Sequence, residues 1–215
     1  MSARDNILRR VREARQAGAG PTAEEARRVD ARIRARPVGA RPAVTGDLVE
    51  RFLNQCERMS SSVARVARPD EVPASVSAFL SAKGLPLKAA AWPAVAALPW
   101  AAAGMDVEAR PARGDDLVGI TGVHLAIAET GTLMLLSGPD THAVTSLLPE
   151  THVAIVPADR IEPAMEEAWE RTRNASGQLP RAVNFVSGPS RTADIEGQLQ
   201  IGAHGPFRVH VVVVG

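Results

Sequence analysis

The run Val209–Val214, one histidine among five valines, constrains the fold more than any other feature of this chain. β-Branched side chains favour extended backbone. A strand that is apolar at consecutive positions, rather than alternate ones, must be covered on both faces, as in parallel sheets. Val153–Val156 and Leu87–Trp92 read the same way, Ser62–Val66 and Ala182–Val186 read as further short strands, and Thr132–Leu136 as an apolar segment. The segment from Leu117 to Ala128 is apolar almost throughout. Between the strands lie stretches with helical spacing. Asp47–Met59 sets Leu48, Phe52, Leu53 and Cys56 on one face, and Asp70–Ala82 stops before Gly84. Thr141–Leu148 predicts a short helix, Arg160–Thr172 a longer one, and Trp100 a loop or short helix.

Strands alternating with helices predict an α/β domain built on a mainly parallel sheet with helices on both faces. In such sheets ligands sit beyond the carboxyl ends of the strands. Two glycine-containing turns that follow strands, at 129–132 and 187–192, are expected there. The domain is placed at residues 45–215. Residues 1–44 form an N-terminal helical arm and linker. Ser2 caps a helix over Ala3–Gln16 with Ile7, Leu8 and Val11 on one face. Gly18, Gly20 and Pro21 end it, and Thr22–Arg36 reads as a solvated helix or a linker.

Composition narrows the function classes. Of 215 residues 45% are apolar, enough for a sizeable core, and the net charge of +1 gives no global field toward nucleic acid or anionic membrane. Aromatic residues are 3% and tyrosine is absent, which leaves little material for stacking bases. The single cysteine, Cys56, excludes an intrachain disulfide and a cysteine-ligated iron–sulfur cluster within this chain. It reads as a small apolar filler. No HxH or HExxH spacing occurs, so no metal site is predicted. The polar start has no apolar leader, and no 18-residue apolar run exists, so a cytoplasmic protein without a membrane span is expected.

Two constellations carry chemistry. In the first, Glu129, Thr130, Gly131 and Thr132 join two apolar segments. Gly131 lets the backbone bend toward a ligand, and Glu129 suits a nucleophile, base or hydroxyl acceptor. A hairpin with a solvated glutamate explains the same residues. In the second, Ser187 to Glu196, small residues and hydroxyls surround one guanidinium. The amides after Pro189 suit an anion nest, Arg191 a bidentate carboxylate or phosphate contact, and Asp194 and Glu196 a counter-charge or ligand hydroxyls. The alternative is a capped turn with a surface ion pair. His204, in the loop after this run, is the best histidine candidate. His124 is expected toward the same cleft as Glu129, and His210 is read as structural. His142 falls in a turn, Gly138 to His142, with an Asp or Thr helix cap.

Together, AETGTL at 128–133, SGPSRTADIE at 187–196 and GAHGP at 202–206 resemble the lactate-utilisation protein C family, a LUD-domain group, over roughly residues 45–215. The resemblance implies a fold like that of ribose-5-phosphate isomerase, glucosamine-6-phosphate deaminase and the CoA transferases. It implies a part in oxidation of L-lactate to pyruvate by a three-protein system whose iron–sulfur clusters belong to the other two proteins. The matching positions are Glu129, Thr130, Gly131, Thr132, Gly188, Pro189, Ser190, Arg191, Thr192, Asp194, Glu196, His204, Gly205 and Pro206. The favoured expectation is a non-iron–sulfur component that binds a small anionic ligand or an unidentified cofactor and acts with iron–sulfur partners. A free-standing transferase or isomerase using Glu129, with His204 as a second catalytic candidate, and a pure scaffold or regulator are the alternatives.

Overall fold

The valine run becomes an interior strand. Arg208–Val214 (β12) lies between Ser62–Val66 (β1) and Thr151–Pro157 (β7), parallel to both. Val118–Thr121 (β4), Lys88–Ala91 (β2) and Asp106–Ala109 (β3) complete a six-stranded, all-parallel sheet in the order β1-β12-β7-β4-β2-β3. The structure, a computed structural model, describes residues 2–17, 20–176, 178–192 and 200–215. It divides into two compact units, Met1–Pro42 and Ala43–Gly215.

Alternation along β12 decides what each face meets. Val209, Val211 and Val213 join Phe52 and Cys56 of Leu48–Arg58 (α3) in one buried cluster, while Val212 joins Val72, Val76 and Leu80 of Val72–Ala82 (α4) in another. Helices thus cover both faces of a parallel α/β sheet. Asp47 caps α3 through the Glu50 N–H, 3.0 Å. A 3-10 turn, Pro69–Glu71, leads into α4, and Pro73 sits in its first turn, where no intrahelical N–H is needed.

A second sheet was not expected. Leu125–Ile127 (β5), Thr132–Leu136 (β6), Ile161–Glu162 (β8) and Val183–Val186 (β9) form it in the order β8-β5-β6-β9. β5 and β8 are parallel, and β6 is antiparallel to β5 and β9. Its inner residues Ala126, Leu133 and Ile161 complete the cluster around Phe52 and Cys56, so α3 is clamped between two sheets. Its outer residues Leu125, Ile127 and Met134 pack on Ala168 and Trp169 of Met165–Ser176 (α7).

Several elements differ from their sequence readings for local reasons. The apolar segment 117–128 is two strands, broken at Gly122–His124, where the chain leaves the first sheet for the second. The helix expected from Arg160 starts only at Met165, because Pro163 disfavours helical backbone at Glu162 and lets Ile161–Glu162 pair with β5. Val183–Val186 is an edge strand, with Phe185 exposed and edge-on to Trp169. Only Val144–Leu147 (α6) of 141–148 is helical. The Thr141 hydroxyl donates to the Leu136 carbonyl at 2.7 Å, closing the turn instead of capping a helix.

In the first unit, Ala3–Ala17 (α1) is capped by Ser2, whose hydroxyl accepts from the Asp5 N–H. Ala23–Ala35 (α2) resolves the helix-or-linker choice: Thr22 and Glu25 form a reciprocal capping box. No residue of α2 is buried.

Two buried imidazoles lie in the main sheet. His152 on β7 bonds Thr121 on β4 through Nε2 at 2.8 Å, and His210 on β12 bonds the Ser62 hydroxyl through Nδ1 at 2.9 Å. Burial lowers each pKa from 6.5 to about 4. The unfolded chain therefore binds more protons than the folded one between these values, so stability is full above pH 6.5 and is lost as pH falls toward 4. At pH 4 the loss is roughly 3 kcal/mol per ring. Melting curves from pH 7 to 4 should show a falling Tm, and His210→Gln should flatten that fall. Parallel wild-type and variant curves would contradict this account of His210.

Candidate functional site

The two glycine turns and the 202–206 loop meet, but not where parallel-sheet precedent put them. α3 runs back to the amino edge of the main sheet, delivering Met59 and Ser60 just ahead of β1. All three motifs gather around this helix end. The carboxyl ends of the main strands lie on the other side of the sheet, so the expected location is corrected: β5 and β9 belong to the second sheet and carry their turns back to the amino edge.

The first turn links β5 to β6. Gly131 has φ +66° and lies so close to α3 that a Cβ there would be 2.6 Å from the Cys56 amide nitrogen. Cys56 donates its thiol hydrogen to the Gly131 carbonyl at 3.6 Å. The second turn follows β9. Gly188 has φ +77°, and a Cβ there would clash with the Met59 carbonyl oxygen. Both glycines are required for left-handed backbone and for close approach to the same helix.

Hydroxyls tie the turns together. Thr130 Oγ1 and Thr132 Oγ1 are 2.7 Å apart, the Thr132 hydroxyl donates to Ser187 Oγ at 3.3 Å, and the Ser187 hydroxyl reaches the Thr130 carbonyl at 3.4 Å. Ser190 links the second turn to the third motif. Its N–H donates to the Pro206 carbonyl and its own carbonyl accepts from the Gly202 N–H, each at 2.9 Å. A Cβ on Gly205 would be 3.2 Å from Ser190 Cβ. Arg191–Thr192 (β10) pairs with Gln200–Ile201 (β11), closing the loop.

Arg191 has a structural task that its sequence context did not reveal. Its Nη2 donates to the Met59 carbonyl at 2.8 Å and to Ser60 Oγ at 2.6 Å. These bonds cap the end of α3 and use both Nη2 hydrogens, which are then not available to a ligand. Glu129 is half-buried beside the hydroxyl chain, its N–H held by the Pro163 carbonyl. Pro189 is half-buried and Thr192 buried, whereas His204 is exposed on the 202–206 loop. Asp194 and Glu196 lie outside the described residues. His124 is at the opposite end of β5 from Glu129, where Nε2 bonds Thr172 Oγ1 at 3.0 Å, so the shared-cleft expectation is corrected. Ser60, which sequence reasoning passed over, sits at φ +68°. The run of three serines directly after α3 was the available signal.

The α/β fold agrees with comparisons to known proteins. The LUD domain family matches residues 49–214, and the chain belongs to that family. Among curated relatives, lactate utilization protein C of Halalkalibacterium halodurans is 43% identical over 100 residues, covering 45% of this chain and 44% of the relative. Lactate utilization protein C 1 of Bacillus mycoides is 40% identical over 118 residues, 54% of this chain and 50% of the relative. The protein C of Bacillus subtilis is 42% identical over 100 residues, 45% of this chain and 42% of the relative. The chain thus spans about half the length of the curated relatives it matches. A crystal structure of a DUF162 family protein from Deinococcus radiodurans shares the fold, with TM-score 0.60 and 24% identity, covering 81% of this chain and all of that one.

Gly131→Ala and Gly188→Ala combine left-handed strain with overpacking against α3 backbone and should each cost about 3 kcal/mol or more, read by urea denaturation. Unchanged midpoints would show that the turns do not depend on this contact. The Cys56 thiol, its pKa pushed up to about 12 chiefly by burial and secondarily by the Glu57 charge, should resist alkylation in the native protein and react on unfolding. Rapid native labelling would show that the α3 clamp opens.

Proposed function

We propose that this chain is a component of bacterial L-lactate utilisation. It holds a small anionic ligand at the junction of the three turns and works with iron–sulfur proteins that carry the electrons of lactate oxidation to pyruvate. The names of the relatives support the pathway. The observation that carries the site is the continuous set of contacts Thr130–Thr132–Ser187 and Ser190–Gly202–Pro206, which draws all three motifs to one place. Thr130, Ser187 and Arg191 are exposed there, and hydroxyls with the remaining guanidinium hydrogens suit an anion's oxygen atoms once the ligand replaces bonds within the network. Arg191, Thr192, Gly188, Pro189 and Gly205 are its proposed frame. The lone cysteine is buried against Gly131, which suits a subunit whose redox centres reside in its partners.

A transferase or isomerase reading is kept alive by one feature: Glu129 flanks the hydroxyl chain and is half-buried. A single experiment separates the readings. Deletion of the gene should abolish growth on L-lactate but not on pyruvate, and the wild-type gene should restore it. A Glu129→Gln gene should also restore growth if the chain binds and docks, and should fail if Glu129 is a nucleophile or base. Undiminished growth of the deletion strain, with no second copy of the gene present, would remove the chain from lactate use altogether.

A further inference from the structure

The opposite face of β1 and β12 holds a second feature. Ser62 stands in register with His210, so both side chains lie on the α4 side of the sheet. The Phe79 ring of α4 stacks on the His210 ring, with centroids 3.9 Å apart and planes 3° from parallel. α4 ends one turn later, at Lys83, and leaves the amino edge of the sheet uncovered. The result is a cavity of about 260 Å³ lined by Ser60, Ser62, Phe79, Lys83, Phe207 and Arg208.

Its chemistry is one-sided. Two cations and two hydroxyls face it between two aromatic walls, and no carboxylate lines it among the described residues. Arg208 is held only by long contacts: its Nη1 pairs with Glu150 at 3.8 Å and reaches Thr151 Oγ1 at 3.5 Å, and its guanidinium lies over the Phe207 ring. The two lysines of the chain are used differently: Lys88 is paired with Glu108 and Asp106, whereas Lys83 makes no ion pair among the described residues. Ser60 adds a further observation. It holds left-handed backbone that glycine would adopt without strain. What serine supplies instead is a hydroxyl, 2.6 Å from Arg191 Nη2, which brings a third cation to the rim.

Ser62 is set to donate. A buried orphan N–H is costlier than an under-used acceptor. His210 Nε2 is buried without a partner, so the favoured tautomer carries its hydrogen on Nδ1 and donates it to Ser62 Oγ. The Ser62 hydroxyl hydrogen then points to the Val209 carbonyl across a long 3.4 Å contact, which a stronger acceptor in the cavity would displace.

We propose that this cavity binds a small oxyanion, a carboxylate or phosphate on at most a few carbons, between Lys83 and Arg208, with Ser60 and Ser62 as hydroxyl partners. The cavity adjoins the turn junction across Ser60 and Arg191 but lies on the other side of the sheet from α3. The inference does not require the lactate reading.

Calorimetric titration of the full chain at low ionic strength tests it with three probes: L-lactate, acetate and inorganic phosphate. At least one should bind. Lys83→Gln and Arg208→Gln should each weaken that probe about tenfold or more. Lys88→Gln, which removes a cation elsewhere on the surface, should leave it unchanged. Binding of phosphate alone would support the site and assign a phosphate ester; binding of L-lactate well above acetate would support it and assign a hydroxy acid. No binding by any probe overturns the proposal. So does binding that survives Lys83→Gln and Arg208→Gln but is lost in Arg191→Gln, which would place the anion at the turns instead. Lys83 is a helix-end surface residue, so its variant keeps the test interpretable if Arg208→Gln folds poorly. Growth on L-lactate is a separate readout, so failure here leaves the pathway assignment standing.

Discussion

The rest of the structure depends on the close contact between α3 and two glycine turns. α3 is clamped between a parallel six-stranded sheet and a mixed four-stranded one, and Phe52 and Cys56 are buried where the two meet. Gly131 and Gly188 touch the helix backbone itself, at distances no side chain tolerates. Because both glycines also hold left-handed backbone, each turn is fixed in shape as well as in place. Arg191 then secures the helix end from the far side. The motifs that mark the family are thus first of all the means by which the second sheet is fastened to α3, and the hydroxyl junction is what that fastening leaves exposed.

This changes how the individual residues are understood. Arg191 suggested an anion ligand by its chemistry, yet part of its guanidinium is spent on a helix carbonyl and a serine. Lys83, which makes no ion pair among the described residues, and Arg208, held only by long contacts to Glu150 and Thr151, stand on the opposite face of β1 and β12, in segments that carry no motif. A guanidinium in a glycine- and serine-rich turn draws attention in a sequence. A lysine at a helix end and an arginine at a strand start do not, and only the parallel pairing of β1 with β12 brings them to one cavity. The domain therefore carries two neighbouring polar regions, each touched by Ser60 or by its partner Arg191.

Legibility differed by element for identifiable reasons. α3, β1, β7 and β12 were readable because each carries a strong local signal: helical spacing of apolar residues, or valine runs that need two covers. β3 was missed because its sequence, DVEA, is mostly polar and belongs to an edge strand. The second sheet was missed because its strands are short and two of its three pairings, β5 with β8 and β6 with β9, join segments far apart in sequence. The break at Gly122–His124 looks, in sequence, like one more stretch of apolar chain. His124 was misplaced for the same reason, since a three-residue strand separates it from Glu129 and sends the two in opposite directions.

The sequence by itself determined the class of fold, the two layers of helix over parallel strands, the burial of Cys56 and the membership of the LUD domain family. These follow from local spacing and from the residues of three short motifs. Tertiary structure alone decided that the motifs converge at the amino edge of the main sheet, that Arg191 caps a helix, and that Lys83 and Arg208 share a cavity. The reason is physical. Apolar periodicity specifies which face of an element is buried, but not which end of the sheet a loop reaches once the chain crosses into a second sheet. That direction is set by backbone contact at Gly131 and Gly188, and contact between residues some 75 positions apart, such as Cys56 and Gly131, leaves no local trace.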